Sequence, residues 1–191
     1  MLEYKEFMKT VNEEPNSEHV TIFVSDWNKE EWAFYAHIAL SQYQDDIEEI
    51  QDLIKRMNWK DQDVYVEMVD CSQDMTGFYS CVESMGYLDN WQIMDPELWE
   101  MRDDNTDEFF NVASQVLGSV DKDGLQSMID EGYSIYEDYD EALENLYPEL
   151  YEALEKASAL CCFDSEHMFN GWGEIHEVKI GYDRKAVHYY G

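Results

Sequence analysis

Carboxylates, 44 in all, are the side chains of this chain with the most evident capacity for catalysis or binding. Between residues 61 and 155 there are 26 Asp and Glu residues but only two basic residues, Arg102 and Lys122. Carboxylates can act as general acids and bases, bind calcium, or reproduce the charge of a phosphate backbone. Because carboxylate pairs occur throughout the chain, none of them indicates a particular catalytic site. No nucleophile elbow, P-loop or dinucleotide-binding glycine motif is present. The sequence therefore predicts a protein that is not an enzyme.

One acidic segment has part of the spacing of a calcium loop. Asp103, Asn105 and Asp107 fall at positions 1, 3 and 5 of an EF-hand loop. The next position is Glu108, where the sharp turn requires glycine, and the closing position is Ser114, where a bidentate glutamate belongs. The sequence therefore predicts no dedicated calcium site.

A second segment contains residue types that bind transition metals. Cys161 and Cys162 are followed by Asp164, Glu166 and His167. Adjacent cysteines do not easily occupy one tetrahedral site, and no CxxC pair is present to complete it. We expect reduced, buried thiols here and no metal or other cofactor.

The segment between Lys122 and Lys156 contains 11 acidic residues and no basic ones. If it is helical, Glu141, Glu144, Glu152 and Glu155 share roughly one face. One helical turn rises about 5.4 Å, which is comparable to the spacing of phosphates along a DNA strand. An ordinary solvated helix face would interleave Lys and Arg with its Glu residues. The carboxylates predicted to bind a partner are Asp103, Asp104, Asp107, Glu108, Asp130, Glu131, Glu137, Asp138, Asp140, Glu141, Glu144, Glu149, Glu152 and Glu155.

Composition indicates a folded domain with an acidic surface. The formal net charge is -32, yet 45% of the residues are hydrophobic and the chain has 14 Tyr, 8 Phe and 6 Trp. Acidic disordered chains are poor in aromatic residues, so this chain should form a core, in which we expect most of the tryptophans. The scarcity of Lys and Arg argues against direct binding to nucleic acid or to an anionic membrane. No segment resembles a signal peptide or a membrane span, so we expect the cytoplasm of a bacterial host cell.

The elements that position these residues are predicted to form an α+β fold. The N-terminal part is predicted to form a ββαβ unit, with strands at 20–24, 32–40 and 64–69, although the alanines at 33, 36 and 39 leave a helix open for the second segment. Its helix contains Ile47, Ile50 and Ile54 on one side, and Asp45 with Glu48 has the spacing of an N-cap and its N3 partner.

The middle of the chain is predicted to be helical and the end to be a hairpin. Helices are expected at 75–85 with Gly86 as a C′ residue, at 95–101 with Asp95 as N-cap, at 106–118 ending at Gly118, at 125–132, at 139–146, and from Pro148 onward. Strands at 174–180 and 186–190 should form a C-terminal β-hairpin. The predicted domains are 1–72, 73–160 as the acidic helical region, and 161–191 as the hairpin, able to pack on the N-terminal sheet.

Two parts of the sequence resemble the ArdA-type antirestriction proteins. The N-terminal segments VTIFVSDWNKEEWAFYAHIALSQYQDDIEEIQDLI and VYVEMVD look like the family's N-terminal domain. The segment DEGYSIYEDYDEALENL, residues 130–146, is similar to the family's acidic helical middle. The resemblance implies a DNA mimic that competes with DNA for the groove of type I restriction–modification enzymes.

The leading hypothesis is a DNA-mimic inhibitor, encoded by a phage or mobile element, that blocks a host defence enzyme. The target would be the basic DNA-binding groove of a restriction–modification enzyme or, as an anti-CRISPR protein, of a CRISPR nuclease. A homodimer would extend the charged surface. Two alternatives stay open at this stage: an acidic-shelled domain from a halophile, and an acidic chaperone for basic nucleic-acid-binding proteins.

Overall fold

The structure, a computed structural model, describes residues 10–26, 33–59, 63–86, 89–117, 120–173 and 175–190. Strands and helices are mixed along the chain, which confirms the predicted α+β class. The chain divides into two units, Met1–Ser114 and Gln115–Gly191. The predicted strand start at Trp32, the helix end at Gly118 and the strand start at Glu174 lie outside the described residues.

The first unit contains a three-stranded antiparallel sheet that confirms the predicted ββαβ order. Its strands are β1 (His19–Asp26), β2 (Ala33–Ala39) and β3 (Val64–Cys71), with β1 in the centre. Along β1, Val20, Ile22 and Val24 have no exposed surface, because alternate side chains of a strand point to the same face. Between β2 and β3 lies helix α1 (Tyr43–Arg56).

Helix α1 packs as its apolar spacing predicts but begins earlier than predicted. Ile47, Ile50 and Ile54 are buried on one side. The prediction that Asp45 is the N-cap is wrong, because the helix already starts at Tyr43. The neighbouring Asp46 is buried instead, and its Oδ2 accepts a hydrogen bond from the backbone N–H of Ala39 at 2.9 Å. This carboxylate joins the helix to the end of β2.

Three further helices complete the first unit: α2 (Thr76–Met85), α3 (Pro96–Asp104) and α4 (Asp107–Val116). They meet through aromatic rings, with Phe78 centred 5.1 Å from Trp99 and 5.2 Å from Phe110. Asp95 caps α3 as predicted, since its side chain accepts the N–H of Glu97.

Gly86 ends α2, but not as the left-handed C′ residue that the sequence predicts. Its φ is -111° and its backbone is extended. A Cβ at this position would lie 2.1 Å from the carbonyl oxygen of Asp89. The glycine is therefore required by a close backbone approach rather than by a positive φ.

The described residues of the second unit form four α-helices and a second antiparallel sheet. In chain order the elements are α5 (Lys122–Glu131), β4 (Tyr133–Tyr136), α6 (Tyr139–Leu146), α7 (Pro148–Lys156), α8 (Ser165–Trp172), β5 (Ile175–Ile180) and β6 (Asp183–Tyr189). Strand β6 lies between β4 and β5. The predicted hairpin of β5 and β6 is confirmed, as is the end of α5 at Gly132, whose φ is 82°. Strand β4 and helix α8 were not predicted.

The two units divide the chain differently from the three predicted domains. Helix α2 belongs with the first sheet, because the Tyr79 hydroxyl donates to the Met68 carbonyl of β3 at 2.8 Å. The hairpin belongs with the acidic helices, because β6 pairs with β4. Long-range pairing of this kind is not visible in local sequence patterns. Among the described residues, no helix is long and apolar enough to cross a membrane.

Candidate partner-binding surface

Helices α6 and α7 are held to the second unit by one side only. Ala142 and Leu143 of α6 are fully buried and join a core with Phe169, Ile175 and Ala186. No residue of α7 is fully buried; its apolar side chains, Leu150, Tyr151 and Leu154, cover the edge of this core. The amphipathic pattern thus fixes which sides face outward. Residues 137–156 contain eight acidic residues and one basic residue, Lys156.

Thirteen of the fourteen predicted partner-binding carboxylates are exposed, the exception being half-buried Asp107. Exposure alone does not make a carboxylate free to bind a partner, because several of these side chains have contacts within the protein. Within the described residues, the side chains without a hydrogen bond or ion pair are Asp103, Asp104, Glu108, Glu131, Glu144, Glu149 and Glu155.

Three carboxylates at the start of α6 have structural contacts. Asp138 is the N-cap, and its Oδ1 accepts the N–H of Glu141 at 2.9 Å. The Glu141 carboxylate in turn accepts the N–H of Glu137 at 2.5 Å. Asp140 accepts a hydrogen bond from the Ser165 hydroxyl at 2.5 Å, which joins α6 to the start of α8. These carboxylates stabilise the start of α6, and their negative charge interacts favourably with the positive end of the helix dipole.

Three other predicted carboxylates have surface contacts. Glu152 pairs with Lys156 one turn later at 2.8 Å, and both side chains are exposed. Glu137 pairs with Lys185 of β6, and Asp130 accepts a hydrogen bond from Gln126 at 2.9 Å. An exposed ion pair such as that of Glu152 and Lys156 contributes about 0–1 kcal/mol. They neutralise only part of the negative charge on this side of the unit.

Carboxylates of α6 and α7 act electrostatically on the phenol of Tyr151. Glu144 contributes most to raising the pKa of this phenol, desolvation contributes less, and Glu155 and Asp140 contribute least. We call the exposed carboxylates Asp140, Glu144, Glu149, Glu152 and Glu155, with Tyr151, the acidic ridge.

In the first unit, Asp107 acts within the fold. Its two carboxylate oxygens accept the backbone N–H groups of Gly77 at 2.7 Å and Phe78 at 2.9 Å. These are first-turn amides of α2, which have no partner inside their own helix. Both oxygens of Asp107, one of the predicted partner-binding carboxylates, are therefore used within the fold. Within the described ranges, no group of three or more His, Cys, Asp or Glu could hold a metal ion.

Arg102 fixes the neighbouring acidic segment. Its side chain is buried, and Nη2 donates to Glu18 Oε1 at 2.8 Å and to the Asp74 carbonyl at 2.9 Å. Nη1 donates to the Asn105 carbonyl at 2.9 Å, which fixes the turn between α3 and α4. Asp103, Asp104 and Glu108 are exposed around this turn. Of the two basic residues that interrupt the acidic stretch, Arg102 is thus inside the fold.

The prediction that the thiols of Cys161 and Cys162 are buried is wrong. Cys81 is buried, and desolvation raises the pKa of its thiol to about 12. Cys161 and Cys162 are both exposed, in the 3-10 turn Leu160–Cys162 between α7 and α8. The flanking Leu160 and Phe163 take the packing positions against the core. The thiols between them are therefore left outside.

Sequence reasoning did not single out Tyr151 or the contacts of Arg102. For Tyr151 a signal was present, because it lies between Glu149 and Glu152 on a predicted acidic helix. For Arg102 the signal was its isolation among carboxylates, but its partners lie 28 and 84 residues away along the chain.

The structure therefore places Glu144, Glu155 and Asp140 near enough to Tyr151 to raise the pKa of its phenol, and Asp103, Asp104 and Glu108 are exposed at one turn of the first unit. No family model matches the chain, and neither a curated protein nor a solved structure is significantly similar to it. The resemblance to ArdA-type proteins stays a hypothesis.

Proposed function

We propose that this protein is a non-enzymatic DNA mimic that occupies the DNA-binding groove of a host defence enzyme and blocks DNA binding. The observation that supports this most strongly is the acidic ridge. Glu144, Glu149 and Glu155 are exposed, have no partner among the described residues, and stand on helices anchored to a packed core.

These free carboxylates need an explanation outside the fold. Like charges that are not paired oppose the compact state, so they contribute nothing to the stability of this unit. Carboxylates accept bidentate hydrogen bonds from Arg, as phosphates do. A groove that binds duplex DNA presents Arg and Lys at the spacing of phosphates. Glutamates that recur along helices with a rise of about 5.4 Å per turn can meet those side chains.

The anchoring of α6 favours tight binding. Leu143 is fully buried and the N-cap of α6 is formed, so the backbone beneath the carboxylates of this helix is ordered before a partner arrives. Preorganisation of this kind reduces the entropy lost on association. The net charge of -32 would also steer the protein to a basic groove and raise the association rate.

The proposed targets are a type I restriction–modification enzyme and a CRISPR nuclease, within the cytoplasm of a bacterial cell infected by a phage or carrying a mobile element. The acidic residues act by binding only. The protein makes no direct contact with nucleic acid, because its exposed surface repels phosphate.

A competition experiment tests the proposal. A purified type I enzyme and a purified Cas9-type nuclease are each incubated with labelled cognate DNA and increasing amounts of this protein, and DNA occupancy is measured by gel shift. We expect DNA to be released from one of them, and the inhibition to weaken as salt rises. Full DNA occupancy on both enzymes at saturating protein would overturn these two targets, and inhibition of cleavage with DNA still bound would overturn the competitive mechanism.

A matched pair of variants tests whether the acidic ridge is the binding surface. Glu144→Gln/Glu149→Gln/Glu155→Gln removes three free carboxylates from the ridge. The control, made on the first unit, neutralises Glu48, Glu49 and Glu83, which are also exposed and without a partner in the described residues. Both variants change the net charge equally.

We expect the ridge variant to weaken inhibition strongly and the control to weaken it little. At about 1 kcal/mol for each interfacial charge pair, the loss is about 3 kcal/mol, or roughly 150-fold in Kd. The Debye length is about 8 Å at physiological salt, so charges outside the interface contribute only weakly. Equal losses in the two variants would mean that net charge, and not the ridge, inhibits the enzyme.

Two further measurements separate the proposal from its alternatives. Thermal unfolding in low salt and in molar KCl tests the hypothesis of a halophilic domain, which would need molar salt to fold. Binding to histones and to other basic proteins tests the hypothesis of an acidic chaperone, which would bind all of them with similar affinity. A mimic should fold at ordinary salt and prefer one class of DNA-binding protein.

A further inference from the structure

The sheet of the first unit has one face in the core and one face that is only partly covered. Val20, Ile22 and Val24 of β1 point into the core and have no exposed surface. The alternate residue Phe23 points to the other side, where it is half-buried and its ring is centred 5.2 Å from that of Tyr35 on β2. The solvent side of an antiparallel sheet is usually polar, so an aromatic pair is unusual there. We call this side, which carries Phe23, Tyr35, Tyr65, Glu67, Val69 and Asp70, the open face.

The open face holds the exposed apolar surface of the first unit but is small. Tyr35 is 40% exposed, and Val69, the extra residue where the pairing of β1 with β3 shifts register, is 41% exposed. Three strands about 4.8 Å apart make a face about 14 Å wide, and eight residues make it about 25 Å long. Its area is therefore about 350 Å², whereas each partner of a stable protein complex buries about 800 Å². A short segment fits this face better than a second copy of the chain.

Residues 1–9, which precede the described part of the chain, have the sequence of such a segment. Met1, Tyr4, Phe7 and Met8 recur at three- and four-residue spacing, which predicts an amphipathic helix. Nine helical residues span about 14 Å, which equals the width of the open face. The segment contains two Lys and two Glu, so its side chains carry no net charge and the acidic first unit does not repel it. A helix this short is not stable alone in water and needs a surface on which to pack.

The described chain begins at the edge of the open face. Thr10 forms a parallel bridge with Tyr35, and the N–H of Val11 donates to the Tyr35 carbonyl at 2.9 Å. Asn12 then fixes the chain to β2, because its side-chain amide donates to the His37 carbonyl at 2.8 Å and accepts the His37 N–H at 2.9 Å. Residues 1–9 are therefore attached directly beside the aromatic pair. Since the other face of the sheet is filled by the core, the open face is the surface within their reach.

We propose that residues 1–9 form an amphipathic helix that docks across the open face, with its apolar side against the aromatic pair. Lys5 flanks that apolar side, where it can pair with Glu67 or Asp70, the exposed carboxylates at the β3 side of the face. Docking shields an aromatic patch that would otherwise favour non-specific association. The inference concerns the first unit alone and does not depend on the proposed function.

Hydrogen–deuterium exchange of the full-length protein tests the inference. We expect the amides of residues 1–9 to exchange at least about tenfold more slowly than in an unstructured peptide of the same sequence. The variant Tyr35→Ser/Val69→Ser should lose this protection, whereas the amides of β1 should stay protected and show that the sheet is folded. The control is Tyr182→Ser/Tyr190→Ser, which changes the two exposed large apolar side chains of the described second unit and should leave residues 1–9 protected.

A variant of the segment keeps the test valid if the sheet variant does not fold. Phe7→Glu should abolish the protection of residues 1–9 and increase the fluorescence of Nile red, a neutral dye that binds exposed apolar surface. Glu6→Gln, on the polar side of the predicted helix, should do neither. Unprotected residues 1–9 in the native protein, or equal protection in the native protein and in Phe7→Glu, would overturn the inference. Protection that appears only as protein concentration rises would place the segment on a second copy and would also overturn it.

Discussion

Replacement of Arg102 by Met should destabilise the first unit more than replacement of any exposed basic residue. The side chain is buried and donates hydrogen bonds to Glu18 Oε1, the Asp74 carbonyl and the Asn105 carbonyl. Methionine fills most of the same volume but leaves these acceptors without their donor. Asp107, whose Oδ1 lies 3.9 Å from Arg102 Nε, would also lose a nearby positive charge.

The magnitude follows from these contacts. A hydrogen bond that involves a charged group contributes about 1.5–3 kcal/mol, and removal of one partner from a buried ion pair costs about 3–5 kcal/mol. Glu18 is partly exposed, with 40% of its side-chain surface accessible, so water can replace part of that contact. We therefore expect Arg102→Met to lower the free energy of unfolding by about 3–4 kcal/mol. This is a large part of the roughly 5–15 kcal/mol that holds a typical domain together.

Urea denaturation followed by circular dichroism measures this loss. At a slope of about 2 kcal/mol per molar urea, the midpoint of the first unit should fall by about 1.5–2 M. Arg102→Lys keeps the charge but loses the planar fork, so it should fall between Arg102→Met and the wild type. The control is Lys55→Met in the same unit, which breaks the exposed pair with Asp52 and should change stability by less than about 0.5 kcal/mol. If the free energy of unfolding of Arg102→Met lies within about 1 kcal/mol of the wild-type value, the hydrogen bonds of Arg102 do not stabilise the turn.

Three other predictions follow from single residues. Asp107→Asn should lower the stability of the first unit by about 1–2 kcal/mol, since two helix amides lose a charged acceptor, whereas the exposed Asp103→Asn should have no measurable effect in the same urea experiment. Burial, and then repulsion from His19, lowers the pKa of His37 below 6.5, so the unfolded state takes up the proton first as pH falls. The stability that neutral His37 contributes above pH 6.5 should therefore be lost as the pH falls through the lowered folded-state pKa. In thermal unfolding, the melting temperature of the wild type should fall more steeply with decreasing pH than that of His37→Gln. Burial raises the pKa of the Cys81 thiol from 9.0 to about 12, so the unfolded state loses the proton first as pH rises. Between these pH values the wild type should therefore lose stability relative to Cys81→Ala, as measured by urea unfolding. Plots of unfolding free energy against pH that run parallel for the two proteins would contradict this.

Much of the fold could be predicted because its elements have strong local signals. The alternating apolar residues of β1 and the isoleucine spacing of α1 indicate a strand and a helix directly. Strand β4 has only four residues, and its existence depends on pairing with β6, which is more than 50 residues away. Helix α8 begins after Asp164, whose role as N-cap was hidden by the metal-ligand residue types around it.

The sequence predicts which carboxylates of the candidate site are exposed, but it does not predict what each of them contacts. Charge and helical spacing indicate that Glu144 and Glu155 face solvent. They do not indicate that Asp107 binds the amides of Gly77 and Phe78, because those groups lie about 30 residues earlier in the chain. They also do not indicate that Cys161 and Cys162 are exposed, since that depends on which of four neighbouring apolar side chains reach the core.

The internal roles of the carboxylates decide which of them can report on a partner. Asp138, Asp140 and Glu141 stabilise the start of α6, so their retention is explained by the fold even if no partner exists. Glu144 and Glu149 have no such contact, and in a surface with few cations each adds repulsion to its neighbours. A surface that needed only solubility could interleave lysines at these positions and gain helix pairs. The chain instead buries Arg102 and leaves the outer sides of α6 and α7 anionic, with Lys156 as their one basic residue, which is the arrangement that a basic partner groove would require.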